Sequence, residues 1–162
     1  MYEKVLTFFR EKQFQNHINN IDEMCPNICV GNGLFAQDLE KVKLKRITHI
    51  LNLAVNAIDT NGEYYKSLKI KFHGIDAEDD PDFDLKQFFH ETSNIIDKAL
   101  LEKGKILIHC SAGYSRAPSV YIAYLMIKKN YHLWDAVVDA RSKRTVFPNV
   151  GFLKQLCMLE RE

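Results

Sequence analysis

One stretch constrains this chain more than any other: Ile106-Leu107-Ile108-His109-Cys110-Ser111-Ala112-Gly113-Tyr114-Ser115-Arg116. A short apolar run, readable as a buried strand, passes through a tight loop into a segment where Val120, Ala123, Tyr124 and Ile127 recur at helical spacing. A strand that turns directly into a helix is a unit of α/β folds, in which helices cover a mostly parallel sheet. The rest of the chain repeats that alternation. Ile28-Cys29-Val30 and the run from Thr48 to Leu53 read as buried strands, and Leu68, Ile70 and Phe72 alternate with polar residues as in a strand. Helices are predicted over 3–20, 34–42, 85–100, 133–142 and 150–160. With 162 residues, 46% of them hydrophobic, the chain is one α/β domain with a mostly parallel central sheet flanked by helices.

The loop also carries chemistry. A tight turn ahead of a helix start gathers backbone N–H groups around one point, with the positive end of the helix dipole behind them. That is a site for an anion such as phosphate. The residues that would present those amides are Ser111, Ala112, Gly113, Tyr114 and Ser115. Cys110 stands at the base of the loop, where a helix N-terminus and nearby cations favour a thiolate, and Arg116 adds a planar two-pronged donor at its end. A thiolate facing a held phosphate can take the phosphoryl group and so split a hard displacement into two steps. The leaving oxygen then needs a proton. The segment 76–84 offers six carboxylates, Asp76, Glu78, Asp79, Asp80, Asp82 and Asp84, and chemistry alone leaves the choice among them open. Asp84 reads as an N-cap for a helix starting at Leu85.

Composition excludes other classes. A net charge of +1 gives no global field for nucleic acid or an anionic membrane. No run is long enough to span a membrane, and the N-terminus lacks a signal-peptide pattern. The four cysteines are scattered in a way that suits reduced thiols, so a cytoplasmic or nuclear setting is expected. Cys25 and Cys29 have half of a zinc-knuckle spacing without the other half, so no metal is expected, and the chemistry requires no cofactor. Cys25, Cys29 and Cys157 read as core residues, and Arg141-Ser142-Lys143-Arg144 as a solvated helix end.

With these residues in place, the chain resembles the small atypical dual-specificity protein phosphatases. The resemblance runs from about Pro26 to Leu159. It rests on the His-Cys-x5-Arg loop with the following Ala123-Tyr124-Leu125-Met126, on Thr48-His49-Ile50-Leu51-Asn52, and on Pro148-Asn149 with Gly151-Phe152-Leu153-Lys154-Gln155-Leu156. It implies a protein-tyrosine-phosphatase-like fold of the dual-specificity subtype, with 25–162 as the catalytic domain and 1–24 as an N-terminal helical extension. It implies phosphorylated protein substrates, hydrolysis through phospho-cysteine, and a cleft shallow enough for phosphotyrosine and phosphoserine or phosphothreonine alike. The family's general acid lies five residues before the following helix, and here that position is Asp79, with Asp76 and Asp80 as competitors. After Arg116, where most relatives carry Ser or Thr, this chain has Ala117, which implies slower breakdown of the intermediate. Two rival readings follow. One is a phosphatase of glucan, phosphoinositide or RNA 5′-phosphate; the other is a phosphosite-binding module of low turnover.

Overall fold

The computed structural model describes residues 1–11 and 18–162. Five strands form one sheet: β1 (Ile21–Cys25), β2 (Ile28–Gly31), β3 (His49–Asn52), β4 (Lys71–Gly74) and β5 (Ile106–His109). Their order is β1-β2-β5-β3-β4, with β1 antiparallel to β2 and every other pair parallel. The central strand is β5, buried along its whole length, as a continuous apolar run in a parallel sheet must be. Its side chains alternate between two cores. Ile106 and Ile108 join the larger one; Leu107 joins the smaller one with Cys29, Val42, Ile50 and Tyr65.

Helices α2 (Gly33–Gln37) and α3 (Leu39–Leu44) cover the smaller core. The predicted helix over 34–42 is thus two short ones. They are parted at Asp38, whose carboxylate caps Lys41 N at 3.1 Å, while Asn32 caps Phe35 N at 3.0 Å. On the other face lie α1 (Tyr2–Glu11), α4 (Phe89–Leu101), α5 (Arg116–Lys129), α6 (Leu133–Lys143) and α7 (Val150–Leu159). Helix α5 is buried from Arg116 through Leu125, so it is the central helix, packed between α4, α6 and α7.

Several predicted elements differ. The N-terminal helix expected over 3–20 ends at Glu11, and residues 12–17 lie outside the described residues. Within the segment expected to be a helical extension, β1 begins at Ile21 and pairs with β2; its polar sequence suits an exposed sheet edge and gives no strand alternation. Val5, Leu6 and Phe9 of α1 are buried in the main core, so the first helix shares its core with the segment 25–162. The alternation at Leu68, Ile70 and Phe72 marks no strand start: Lys66–Leu68 is a 3₁₀ turn, Lys69 reverses the chain with φ 55°, and β4 begins at Lys71. The helix expected from Leu85 opens with a 3₁₀ turn, Lys86–Phe88, before α4.

Candidate active site

Cys110 directly follows β5 and is only 2% exposed, and α5 starts six residues later. Carbonyls of the loop are taken up by backbone and side-chain donors around it. Ser111 O accepts from Gly33 N at 2.9 Å, Tyr114 O from Phe147 N at 2.6 Å, and Ser115 O from Ser119 N at 3.0 Å. Gly113 O accepts from Arg144 Nε at 2.8 Å. Among the described residues, the amide N–H groups of 111–115 donate to no protein atom. Five donors thus remain at the N-terminus of a buried helix, the arrangement that holds an oxyanion. Gly113 makes the turn possible: its φ is 79°, and a Cβ there would stand 2.5 Å from Gly31 O and 2.6 Å from the Arg144 guanidinium. Pro118 sits in the first turn of α5, where no intrahelical N–H is lost.

Arg116 is buried and fixed from two sides. One terminal nitrogen donates to Ala77 O at 2.8 Å and the other to Ser111 Oγ at 3.1 Å. Its Nε is buried and donates to no protein atom, so the guanidinium keeps a donor for a phosphate oxygen. His109 is fully buried below the loop, with Nδ1 3.2 Å from Cys110 O; in the Nδ1–H form it donates there. Burial, chiefly, pushes its pKa down to about 4; the Cys110 bond opposes the shift and the Arg116 charge adds to it. The ring is therefore neutral near pH 7 and holds the loop backbone rather than lending Cys110 a positive charge.

The segment 76–84 arrives from β4. Of its carboxylates, the structure brings Asp79 to the loop: Asp79 Oδ1 accepts from Ser115 Oγ at 2.7 Å and from Asn149 Nδ2 at 2.9 Å. Asn149 N in turn donates to Ser115 Oγ at 3.1 Å, closing a small ring of bonds. Both donors meet Oδ1, and Oδ2 makes no protein hydrogen bond among the described residues. Ser115 is thereby committed to Asp79 and Asn149 rather than to the thiol, and it forms no side-chain cap on α5. Asp80 accepts from Asp82 N at 2.7 Å, within its own turn. Asp84 caps nothing with its side chain; its carbonyl accepts from Gln87 Nε2 at 2.8 Å, because a 3₁₀ turn rather than an α-helix follows it.

The first turn of α7 holds this acidic segment in place. A Cβ on Gly151 would stand 1.8 Å from Pro81 O, so only glycine admits the contact. Gln155 donates to Phe83 O at 2.8 Å and accepts from Lys86 N at 2.8 Å. Sequence reading quoted these residues only for resemblance and missed their work. It also misplaced Arg144, which is no solvated helix end. Arg144 is buried, bonded to Gly113 O and Asn19 O, and paired with Asp22 at 2.7 Å. Tyr114 is half-buried in the loop and Ala112 is exposed. The four cysteines are unpaired; Cys29 and Cys157 are core residues as expected, Cys25 is half-buried, and burial pushes the Cys29 thiol up to about 11.

A family model described as the catalytic domain of dual specificity phosphatases matches residues 28–162. Human dual specificity protein phosphatase 13B is 36% identical over 146 residues, covering 88% of this chain and 74% of that protein. Among solved structures, human tyrosine phosphatase-like serine/threonine/tyrosine-interacting protein superposes with a TM-score of 0.77 at 29% identity, over 87% of this chain and 95% of that one. A mouse putative dual specificity phosphatase, complexed with zinc tungstate, reaches a TM-score of 0.80 over 93% of this chain and 92% of its own; at 24% identity it shows likeness of fold alone.

Proposed function

The chain belongs to the dual specificity phosphatase family and is a protein phosphatase of the protein-tyrosine-phosphatase superfamily; from that premise we propose that Cys110, Arg116 and Asp79 carry its reaction. The amides of 111–115 and Arg116 take the three non-bridging oxygens of a phosphate monoester, placing phosphorus over Cys110 Sγ. The thiolate forms the S–P bond as the O–P bond breaks, and the leaving oxygen takes a proton from Asp79 Oδ2. Water then attacks phospho-cysteine, Asp79 receives its proton, and the thiolate leaves with inorganic phosphate free. Fixed dipoles aimed at the equatorial oxygens stabilise charge without reorganising, the largest contribution in sites of this kind.

The observation that carries this reading is the hold on Asp79. Ser115 and Asn149 fix one carboxylate oxygen at the loop, and the other remains to carry a proton. Ala112 and Asp79 are both exposed, so the loop opens near the surface. That supports access for the short phosphoserine and phosphothreonine as well as for phosphotyrosine. Unpaired thiols, including the one the chemistry uses, suit a reducing compartment, the cytoplasm or nucleus, and a signalling role follows from phosphoprotein substrates. No described helix is long and apolar enough to cross a membrane.

The test is phosphate release from one peptide bearing both phosphothreonine and phosphotyrosine, with Cys110→Ser as control. The reading predicts loss of both phosphates with the wild-type protein only. Retention of both phosphates, with peptide bound equally by the two proteins, would replace it with a phosphosite-binding role.

A further inference from the structure

The fold sorts the charges of this chain. Strands β3, β4 and β5 run parallel, so the residues that enter them share one edge of the sheet, opposite the loop of 110–116. Lys45 and Arg46 lead toward β3, Lys69 toward β4, which Lys71 opens, and Lys103 and Lys105 toward β5. Lys71 meets Glu102 at 2.6 Å and Lys105 meets Glu23 at 3.7 Å. Lys45, Arg46, Lys69 and Lys103 form no ion pair among the described residues. A groove of about 410 Å³ opens among Thr48, Lys69, Lys71, Glu102 and Lys103.

The backbone singles out the same residues. Among the described residues, five non-glycine residues have positive φ. Two are Asn27 and Asn130, a residue type that tolerates the left-handed region. The other three are Arg46 at 60°, Lys69 at 55° and Lys103 at 57°, all cations and all at this edge. Glycine would take these positions at lower cost. The field of a helix C-terminus favours a cation anywhere in the last turn, so it does not explain why the strained residue itself is charged in all three places. Beside Arg46 and Lys103 stand Leu44 and Leu101, the last residues of α3 and α4, which are 80% and 78% exposed.

We propose that this edge docks on an anionic lipid bilayer, with the cations among the headgroups and Leu44 and Leu101 at the acyl boundary. Unpaired cations around apolar tips match the layered polarity of that interface, whereas a nucleic-acid backbone offers the two leucines no apolar partner. The net charge of +1 conceals the patch because the acidic segment 76–84 lies at the opposite edge. The phosphate-binding loop, at the far ends of the same strands, then faces away from the bilayer toward soluble phosphoproteins.

The experiment is vesicle co-sedimentation with phosphatidylcholine alone and with phosphatidylserine added, alongside heparin as a soluble polyanion. The triple variant Arg46→Gly, Lys69→Gly, Lys103→Gly suits the left-handed backbone and keeps the fold, which a thermal melt verifies. The expected result is binding that requires phosphatidylserine, falls with salt, and weakens on the order of a hundredfold in the triple variant. In Leu44→Ser, Leu101→Ser, vesicle binding weakens while heparin binding is unchanged. Turnover of a soluble phosphopeptide stays the same with vesicles present. No preference for phosphatidylserine, full binding by the triple variant, or full vesicle binding by the leucine variant would overturn the proposal. Suppression of peptide turnover by vesicles would overturn the orientation.

Discussion

His109 makes the stability of this fold sensitive to mild acid, by an amount that follows from its position. In the unfolded chain a histidine takes up a proton near pH 6.5; in the fold His109 resists until about 4, because its ring is fully buried. Between those values the unfolded state binds more protons, so acid draws the equilibrium toward it. The stability tied to the neutral ring is complete above about pH 6.5 and is lost as pH falls toward 4. At 1.36 kcal/mol per unit of pKa, the full loss is about 3 kcal/mol, and about 2 kcal/mol is already gone at pH 5. Urea unfolding at pH 7 and pH 5 measures it. His109→Asn is the comparison, since its amide can donate to Cys110 O from the Nδ1 position without titrating. The wild-type protein should lose about 2 kcal/mol more than the variant over this range, other groups cancelling in the difference. Equal losses would refute the argument and show that the ring reaches water or a carboxylate in solution.

Three further outcomes follow from the site. Asp79→Asn should slow an alkyl or phenyl phosphate, with its poor leaving group, by roughly 10²–10⁴-fold while sparing nitrophenyl phosphate, and Asn149→Ala should show a weaker form of that split. An equal effect on both substrates would assign the proton to another group. Arg144→Met removes one partner of a buried ion pair and frees Gly113 O, so a loss of about 3 kcal/mol and weaker inhibition by inorganic phosphate are expected; an unchanged melting temperature and inhibition constant would contradict the support assigned to it. Ala117→Ser places a hydroxyl where the resemblance implies that most relatives carry one, and if breakdown of phospho-cysteine limits turnover, kcat rises on the order of tenfold, the worth of one hydrogen bond to a charged sulfur. An unchanged kcat would move the slow step elsewhere.

Much of the site was legible because it is local. The apolar run 106–108, the loop and the helix after it are contiguous, and their geometry follows from the period of the side chains. Asp79 was reachable only through family resemblance; nothing in the run of carboxylates says which one meets Ser115, 36 residues on. Arg144 was misread for the same reason. Among Arg141, Ser142 and Lys143 it looks solvated, and its burial depends on Asp22 and Gly113 far along the chain. The edge strands failed differently. With one side open, β1 needs no apolar period and composition does not mark it, while the alternation at Leu68, Ile70 and Phe72 marks β4 but starts it too early, ahead of Lys71. The basic edge was hidden by summation, since net charge discards where the charges lie.

The most direct measurement is peptide mapping by mass spectrometry of enzyme quenched during turnover of a phosphotyrosine peptide. The mechanism predicts one phosphoryl group on the peptide containing Cys110, lost on mild treatment and absent in Cys110→Ser. Steady phosphate release with no such adduct, or with the phosphoryl group on another residue, would contradict it.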